Sequence, residues 1–248
     1  MLHRLFVRFR LVMIGYCLCS ATFLSGLDVR SASMNFRQLT ISKQAAAGPD
    51  ESELRGVLYF AEPDMVAIDL AFPILQKIFI SNNGTLIYYP ENREALRFPP
   101  DSAAVMPLTG QMRTLLSQDR GLSAAGFKLD SLEYDEQGRA VSRWLPPEGD
   151  VSGIGEVRLF TSDQGNIVRS ETLGQKGRLI TTMEYSRFTE VQGYAFPQTV
   201  ITRQYLPDGQ EQVEMQVHYD DVRFNISLPP NIADFKLPDD VQVQELEW

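Results

Sequence analysis

The sequence predicts an α+β chain built mostly of antiparallel β-hairpins, and three observations carry that expectation. Turn signals recur along the whole length, at Asn82-Asn83-Gly84, Asp135-Glu136-Gln137-Gly138, Asp163-Gln164-Gly165, 174–177, Gln192-Gly193 and Pro207-Asp208-Gly209. Each supplies the glycine or Asx chemistry that a tight reversal needs. The segments between them are short and rich in β-branched and aromatic residues. Only one stretch has a helical period.

The clearest strand alternates Val213, Met215, Val217 and Tyr219 with Glu214, Gln216 and His218, one face apolar and the other wet. Further strands are expected over 37–43, 56–61, 66–71, 77–80, 85–89, 127–134, 140–144, 156–161, 167–172, 178–188 and 198–205. The helix is read from Leu108, Met112, Leu115 and Leu116, opened by Pro107, whose missing N–H costs nothing in a first turn. The expectation is thus about ten strands and one or two helices. No repeat, charge block or low-complexity linker divides the chain, and the linker-like 146–153 is read as a long hairpin loop. A sheet this wide must curl, close or split, which creates a concave face.

The first 33 residues read as an address. Arg4, Arg8 and Arg10 precede an apolar run from Leu11 to Leu24, and Ser31 and Ser33 follow at the spacing a signal peptidase accepts. The expectation is a signal peptide over 1–33, a mature start at Met34 and one domain over 34–248. The run is shorter than a spanning helix and is diluted by Gly15, Ser20 and Thr22. Neither Tyr16 before Cys17 nor Leu18 before Cys19 is the small residue that lipid attachment requires.

Charge and composition exclude several functions. The 248 residues carry 23 Lys plus Arg against 32 Asp plus Glu, a net charge of −9, which repels nucleic-acid backbones. Loss of Arg4, Arg8, Arg10, Arg30 and Asp28 with the leader takes this to −12. Both cysteines leave with it, as does His3, so thiol nucleophiles, cysteine zinc sites and multi-histidine sites are excluded. His218, the remaining histidine, falls on the polar parity of its strand and reads as solvated rather than as the base of a Ser-His-Asp arrangement. The acidic pairs Asp220-Asp221, Asp239-Asp240 and Glu62 with Asp64 lack a calcium-loop pattern. Gly153-Ile154-Gly155 lacks the strand-turn-helix context of a phosphate cradle. The expectation is a monomeric binding protein with no catalytic residues, cofactor or metal.

Two strands are apolar on both parities, Val57-Leu58-Tyr59-Phe60 and Leu86-Ile87-Tyr88-Tyr89. Pattern alone allows either a core with surface aromatics on its far side or an apolar cavity for a greasy ligand. The surrounding residues carry a resemblance. Gly56-Val57-Leu58-Tyr59-Phe60-Ala61-Glu62-Pro63-Asp64-Met65 is followed by Ile78-Phe79-Ile80-Ser81-Asn82-Asn83-Gly84-Thr85-Leu86-Ile87-Tyr88-Tyr89-Pro90. This resembles the periplasmic outer-membrane lipoprotein carrier (LolA-like) family, in which a Gly-led strand runs into a Pro turn and an Asn/Asp-Gly turn precedes a Thr-Leu-aromatic-x-Tyr strand ending in Pro. Asp234-Phe235-Lys236-Leu237-Pro238 is similar to the family's Phe-x-x-Pro tail.

The resemblance implies a curved, unclosed barrel with a helical lid over an apolar concave face. It also implies a periplasmic carrier that takes acylated lipoproteins or other lipids from an inner-membrane ABC transporter to an outer-membrane receptor. The physical need is large: at about 0.8 kcal/mol per exposed methylene, one sixteen-carbon chain costs on the order of 12 kcal/mol in water. A lipid-sensing regulatory protein of the same fold is the alternative. The expected cavity wall is Leu58, Phe60, Met65, Ile68 and Tyr88. Two positions depart from the family pattern. Glu62 stands where the family has a basic residue facing the cavity, and it reads either as a solvated turn residue beside Pro63 or as a lid latch of inverted polarity that accepts from backbone N–H groups or from Arg93, Arg97 or Arg113. The stretch 34–56 offers one strand and an Ala-Gly-Pro loop where the family has an amphipathic helix.

Overall fold

A computed structural model describes residues 29–43, 50–62, 65–100, 115–117, 119–150 and 153–246. Its strands are β1 (Ser31–Ser42), β2 (Asp50–Ala61), β3 (Met65–Phe72), β4 (Gln76–Ser81), β5 (Gly84–Tyr89), β6 (Glu94–Phe98) and β7 (Lys128–Tyr134). They continue as β8 (Ala140–Leu145), β9 (Ile154–Thr161), β10 (Ile167–Gly174), β11 (Leu179–Val191), β12 (Tyr194–Tyr205), β13 (Glu211–Phe224) and β14 (Gln242–Glu245), with a short helix α1 (Pro230–Ala233) between the last two.

All 14 strands form one curved, unclosed sheet in the order β14-β6-β5-β4-β3-β2-β1-β13-β12-β11-β10-β9-β8-β7. Two meanders, β1 to β6 and β7 to β13, are joined where β1 pairs antiparallel with β13. Each expected strand is present, and two more join them. β6 was missed because Glu94-Ala95-Leu96-Arg97 has helix-forming composition; its partner β5 makes it a strand. β14 is four exposed residues lying parallel to β6, secured by the ion pairs Arg93–Asp240 (2.6 Å) and Arg97–Glu245 (2.7 Å). Of the expected helix, Leu115 and Leu116 are helical, and 107–114 lie outside the described residues.

Two glycines are required by close packing. A Cβ on Gly56 would lie 2.3 Å from the Asp69 carbonyl oxygen, where a register shift brings β3 against β2. At Gly84, φ is +113° and a Cβ would lie 2.2 Å from the Phe98 carbonyl oxygen, so the hairpin turn admits no side chain.

The chain start bears on the expected mature boundary. β1 opens at Ser31, and Ala32, opposite Phe60 and Phe224, is fully buried. Val29 is buried too, and Ser31 Oγ donates to the Ile226 carbonyl at 2.6 Å. A start at Met34 would remove these contacts. Among the described residues no helix is long and apolar enough to cross a membrane.

Candidate functional site

Because side chains alternate across a strand, the ladder registers sort residues onto two faces. On one face Met34, Leu58, Ile68, Ile78 and Ile87 form a row across β1 to β5, with Ala32, Phe60, Val66 and Ile80 in the next row. The same face continues past β1 through Tyr219 and Val217 on β13, Val200 on β12 and Tyr185 on β11. Phe196, Tyr219 and Phe224 make edge-on ring contacts at 5.6–5.9 Å. Leu115, fully buried, packs into this cluster. Topology explains its presence: β6 lies near one edge of the sheet and β7 at the other, so the connection between them has to cross the sheet. The face that Leu115 covers is the inner face.

The structure divides the expected cavity residues. Leu58, Phe60 and Ile68 share the inner face and are buried. Met65 pairs with Ala61 and Tyr88 with Lys77, which turns both to the outer face. There the Phe235 ring stacks on Phe79 at 4.2 Å and tilts against Tyr88 at 5.9 Å. The segment carrying Phe235 and Ile232 thus covers the outer side of β4 and β5 and leaves a cleft of about 460 Å³ that Met65, Phe79 and Leu86 help to line. The double-parity apolar pattern of β5 is explained by two covered faces.

The structure places Glu62 in an exposed turn. β2 ends at Ala61, the following turn leaves Glu62 exposed, and its backbone N–H donates to the Arg30 carbonyl at 2.8 Å. Arg93 and Arg97 are engaged by Asp240 and Glu245, and Arg113 lies outside the described residues.

A cation does reach the inner face, from the crossing segment. Arg120 is 9% exposed, donates through Nη1 to the Leu115 carbonyl at 2.7 Å and lays its guanidinium 4.4 Å from the Tyr185 ring centroid. Tyr194 Oη donates to the same carbonyl at 2.6 Å. Tyr194 thus holds the turn at Leu115 to the sheet, and Arg120, from the same segment, shares the carbonyl. Arg120 has φ of +56°, a left-handed conformation that costs about 1–3 kcal/mol for a residue with a side chain. Burial raises the pKa of the Tyr185 and Tyr194 hydroxyls, and the Arg120 charge opposes it in both. Tyr219, wholly buried, is raised by desolvation and by Tyr185. Arg120 was not singled out from sequence, although 108, 112, 116 and 120 are four apart and would place it on the apolar stripe of one helix.

Elsewhere, Thr199 Oγ1 lies 3.2 Å from His218 Nδ1 and His218 Nε2 lies 3.1 Å from Asp220 Oδ1. This hydroxyl-imidazole-carboxylate line is on the outer face, with Asp220 exposed. Among the described residues no three His, Cys, Asp or Glu side chains are grouped to hold a metal ion. Beside β8 and β9, burial pushes the Glu156 carboxyl up, but hydrogen bonds and charge from Arg143 and Arg158 outweigh it and leave its pKa lowered.

An open antiparallel sheet crossed by a connecting segment on its apolar face defines the fold, and solved structures share it. The chain is similar to a DUF1329 family protein from Desulfovibrio piger, at TM-score 0.58 and 13% identity over 82% of this chain and 89% of that one. It is similar to a LolA superfamily protein from Nitrosomonas europaea, at TM-score 0.56 and 18% identity over 83% of this chain and 90% of that one. No family model matches the sequence, and no curated relative matches it. The fold is LolA-like.

Proposed function

We propose that this protein is a periplasmic binding module without catalytic chemistry. It shields the acyl chains of a lipoprotein or another lipid against the inner face, beneath a lid formed by the segment that carries Leu115. The observation that carries this reading is the breadth of the inner face, an apolar surface continuous across eight strands from β5 through β1 to β11, in which Leu115 is buried and against which Leu116 packs. Tyr194 on β12 ties this segment to the sheet by a hydrogen bond to the Leu115 carbonyl, a bond that exchanges for water when the segment lifts. An acyl chain entering between Leu115 and the Leu58–Ile68 row exchanges apolar neighbours for apolar neighbours, so the cover reopens without exposing the sheet. Transfer from inner to outer membrane is the role this chemistry serves in a compartment without free lipid solubility.

The test is detergent-free purification of the processed protein from its host, followed by extraction and mass spectrometry. Acylated molecules retained in amounts comparable to the protein are expected. A preparation free of them that also takes up no fluorescent fatty-acid ester would overturn the reading.

A further inference from the structure

Four buried polar atoms without a hydrogen-bond partner sit on the inner face: Arg120 Nε, Tyr219 Oη, Thr202 Oγ1 and Gln38 Oε1. Buried polar groups in folded proteins are nearly always satisfied, so such a group asks for a partner. The other atoms of this kind among the described residues differ, since Glu156, Glu211 and Arg169 sit in ion pairs with Arg158, Lys43 and Glu171. The inner-face atoms have no counterpart of that sort.

Arg120 is the decisive member. Its described partners are the Leu115 carbonyl, the face of the Tyr185 ring and the Tyr194 hydroxyl, none of which carries a formal charge. The carboxylate beside it in sequence is turned away: Asp119 accepts the backbone N–H of Gly121 through Oδ1 at 2.9 Å and of Ser123 through Oδ2 at 3.0 Å. A guanidinium is never neutral in a protein and is costly to bury without a counter-charge. Arg120 takes this buried place with a left-handed backbone, φ +56°. The Tyr185 ring under the guanidinium belongs to a chain of hydroxyls, with Ser170 Oγ 3.4 Å from Tyr185 Oη. Tyr219 lies on the same face.

We infer that the inner face contains a buried oxyanion site, built on Arg120 with the tyrosine hydroxyls beside it, that receives the acidic group of an acyl-chain ligand. The inference rests on the acyl-binding reading above and narrows it to ligands bearing a carboxylate or a phosphate close to the chain. The Arg120 fork supplies Nε, which is unpartnered, while Nη1 keeps the Leu115 carbonyl. The Tyr194 hydroxyl, hydrogen-bonded to the same guanidinium, stands beside it. The acyl chain then lies along the Leu58–Ile68 row, and head-group binding and closure of the Leu115 segment share one residue.

The experiment compares three fluorescent probes with the same chain, a fatty acid, its methyl ester and the corresponding monoacylglycerol phosphate, on the parent protein and on Arg120→Met and Arg120→Lys. The parent is expected to bind at least one acidic probe about tenfold or more tighter than the ester. Arg120→Met should bring that ratio to about one, and Arg120→Lys should keep most of it, because a charge survives. The ratio is insensitive to any general loosening of the lid, which weakens acid and ester alike. Preference for the fatty acid assigns a carboxylate ligand, and preference for the phosphate assigns a phospholipid head group. Ester bound as tightly as both acids, or an acid preference that survives Arg120→Met, overturns the oxyanion site and leaves acyl binding intact. Failure to bind any probe overturns both.

Discussion

Replacing Arg120 by Met separates a buried charge with no counter-ion among the described residues from an ordinary structural contact, because stability is nearly unchanged in the first case and falls steeply in the second. The substitution keeps the side chain long and removes its charge. The hydrogen bond from Nη1 to the Leu115 carbonyl at 2.7 Å is lost, about 1.5–3 kcal/mol for a charged donor. The cation–π contact at 4.4 Å from the Tyr185 centroid is lost as well, about 0.5–2 kcal/mol. Against these stands relief of the desolvation penalty, several kcal/mol for a cation with no carboxylate partner. The Leu115 carbonyl keeps its Tyr194 donor at 2.6 Å, so no new unsatisfied group appears. The opposing effects cancel to within about 1–2 kcal/mol, and at roughly 2–4 °C per kcal/mol the melting midpoint of the ligand-free protein should stay within about 8 °C of the parent. Thermal unfolding followed by circular dichroism measures this. A fall of more than about 10 °C would mean that Arg120 is neutralised and structural, as a broken buried pair costing about 3–5 kcal/mol behaves.

A chain beginning at Met34 should be about 2 kcal/mol less stable than one beginning at Val29, for loss of the buried Val29 and Ala32 side chains, and equal denaturation midpoints would contradict this. Phe235→Ala removes the ring stacked 4.2 Å from Phe79 and should cost about 2 kcal/mol with increased binding of a hydrophobic dye, whereas unchanged dye binding would mean that the outer cleft is already open. Glu156 has a lowered folded pKa, so its contribution is present above the ordinary carboxylate value of 4.5 and is lost as pH falls through the folded value. Glu156→Gln should therefore flatten the acid limb of a stability-against-pH curve, and an unaltered limb would refute the Arg143–Glu156–Arg158 assignment. Glu62→Gln should leave stability and probe release unchanged, because Glu62 is exposed beyond the end of β2; faster release would restore it as a latch.

Much of the architecture was legible because turn chemistry is local. Asn82-Asn83-Gly84 and Pro207-Asp208-Gly209 announce hairpins whatever the rest of the chain does, and β13 declares its faces by strict alternation. Which face of β5 looks inward was not legible, since Leu86 and Tyr88 are covered from one side and Thr85 and Ile87 from the other. The cover on the outer side comes from Phe235, almost 150 residues later, and no local pattern encodes so distant a contact. The family pattern drew attention to Glu62, beside Pro63, while the buried cation came from Arg120, after the helical stripe. An arginine at a position where periodicity calls for leucine is the signal that could have found it. That no described carboxylate pairs with it could be read only from the structure.

Where an acyl chain lies is the most direct test of the central claim. A fatty acid carrying a photoreactive diazirine near its chain end, bound to the ligand-free protein and irradiated, marks its neighbours for peptide mass spectrometry. Cross-links are expected on the inner face, at Met34, Leu58, Ile68, Leu115 and Val217. Cross-links confined to Phe79, Leu86 and Phe235 would put the chain in the outer cleft and contradict a lipid held beneath the crossing segment.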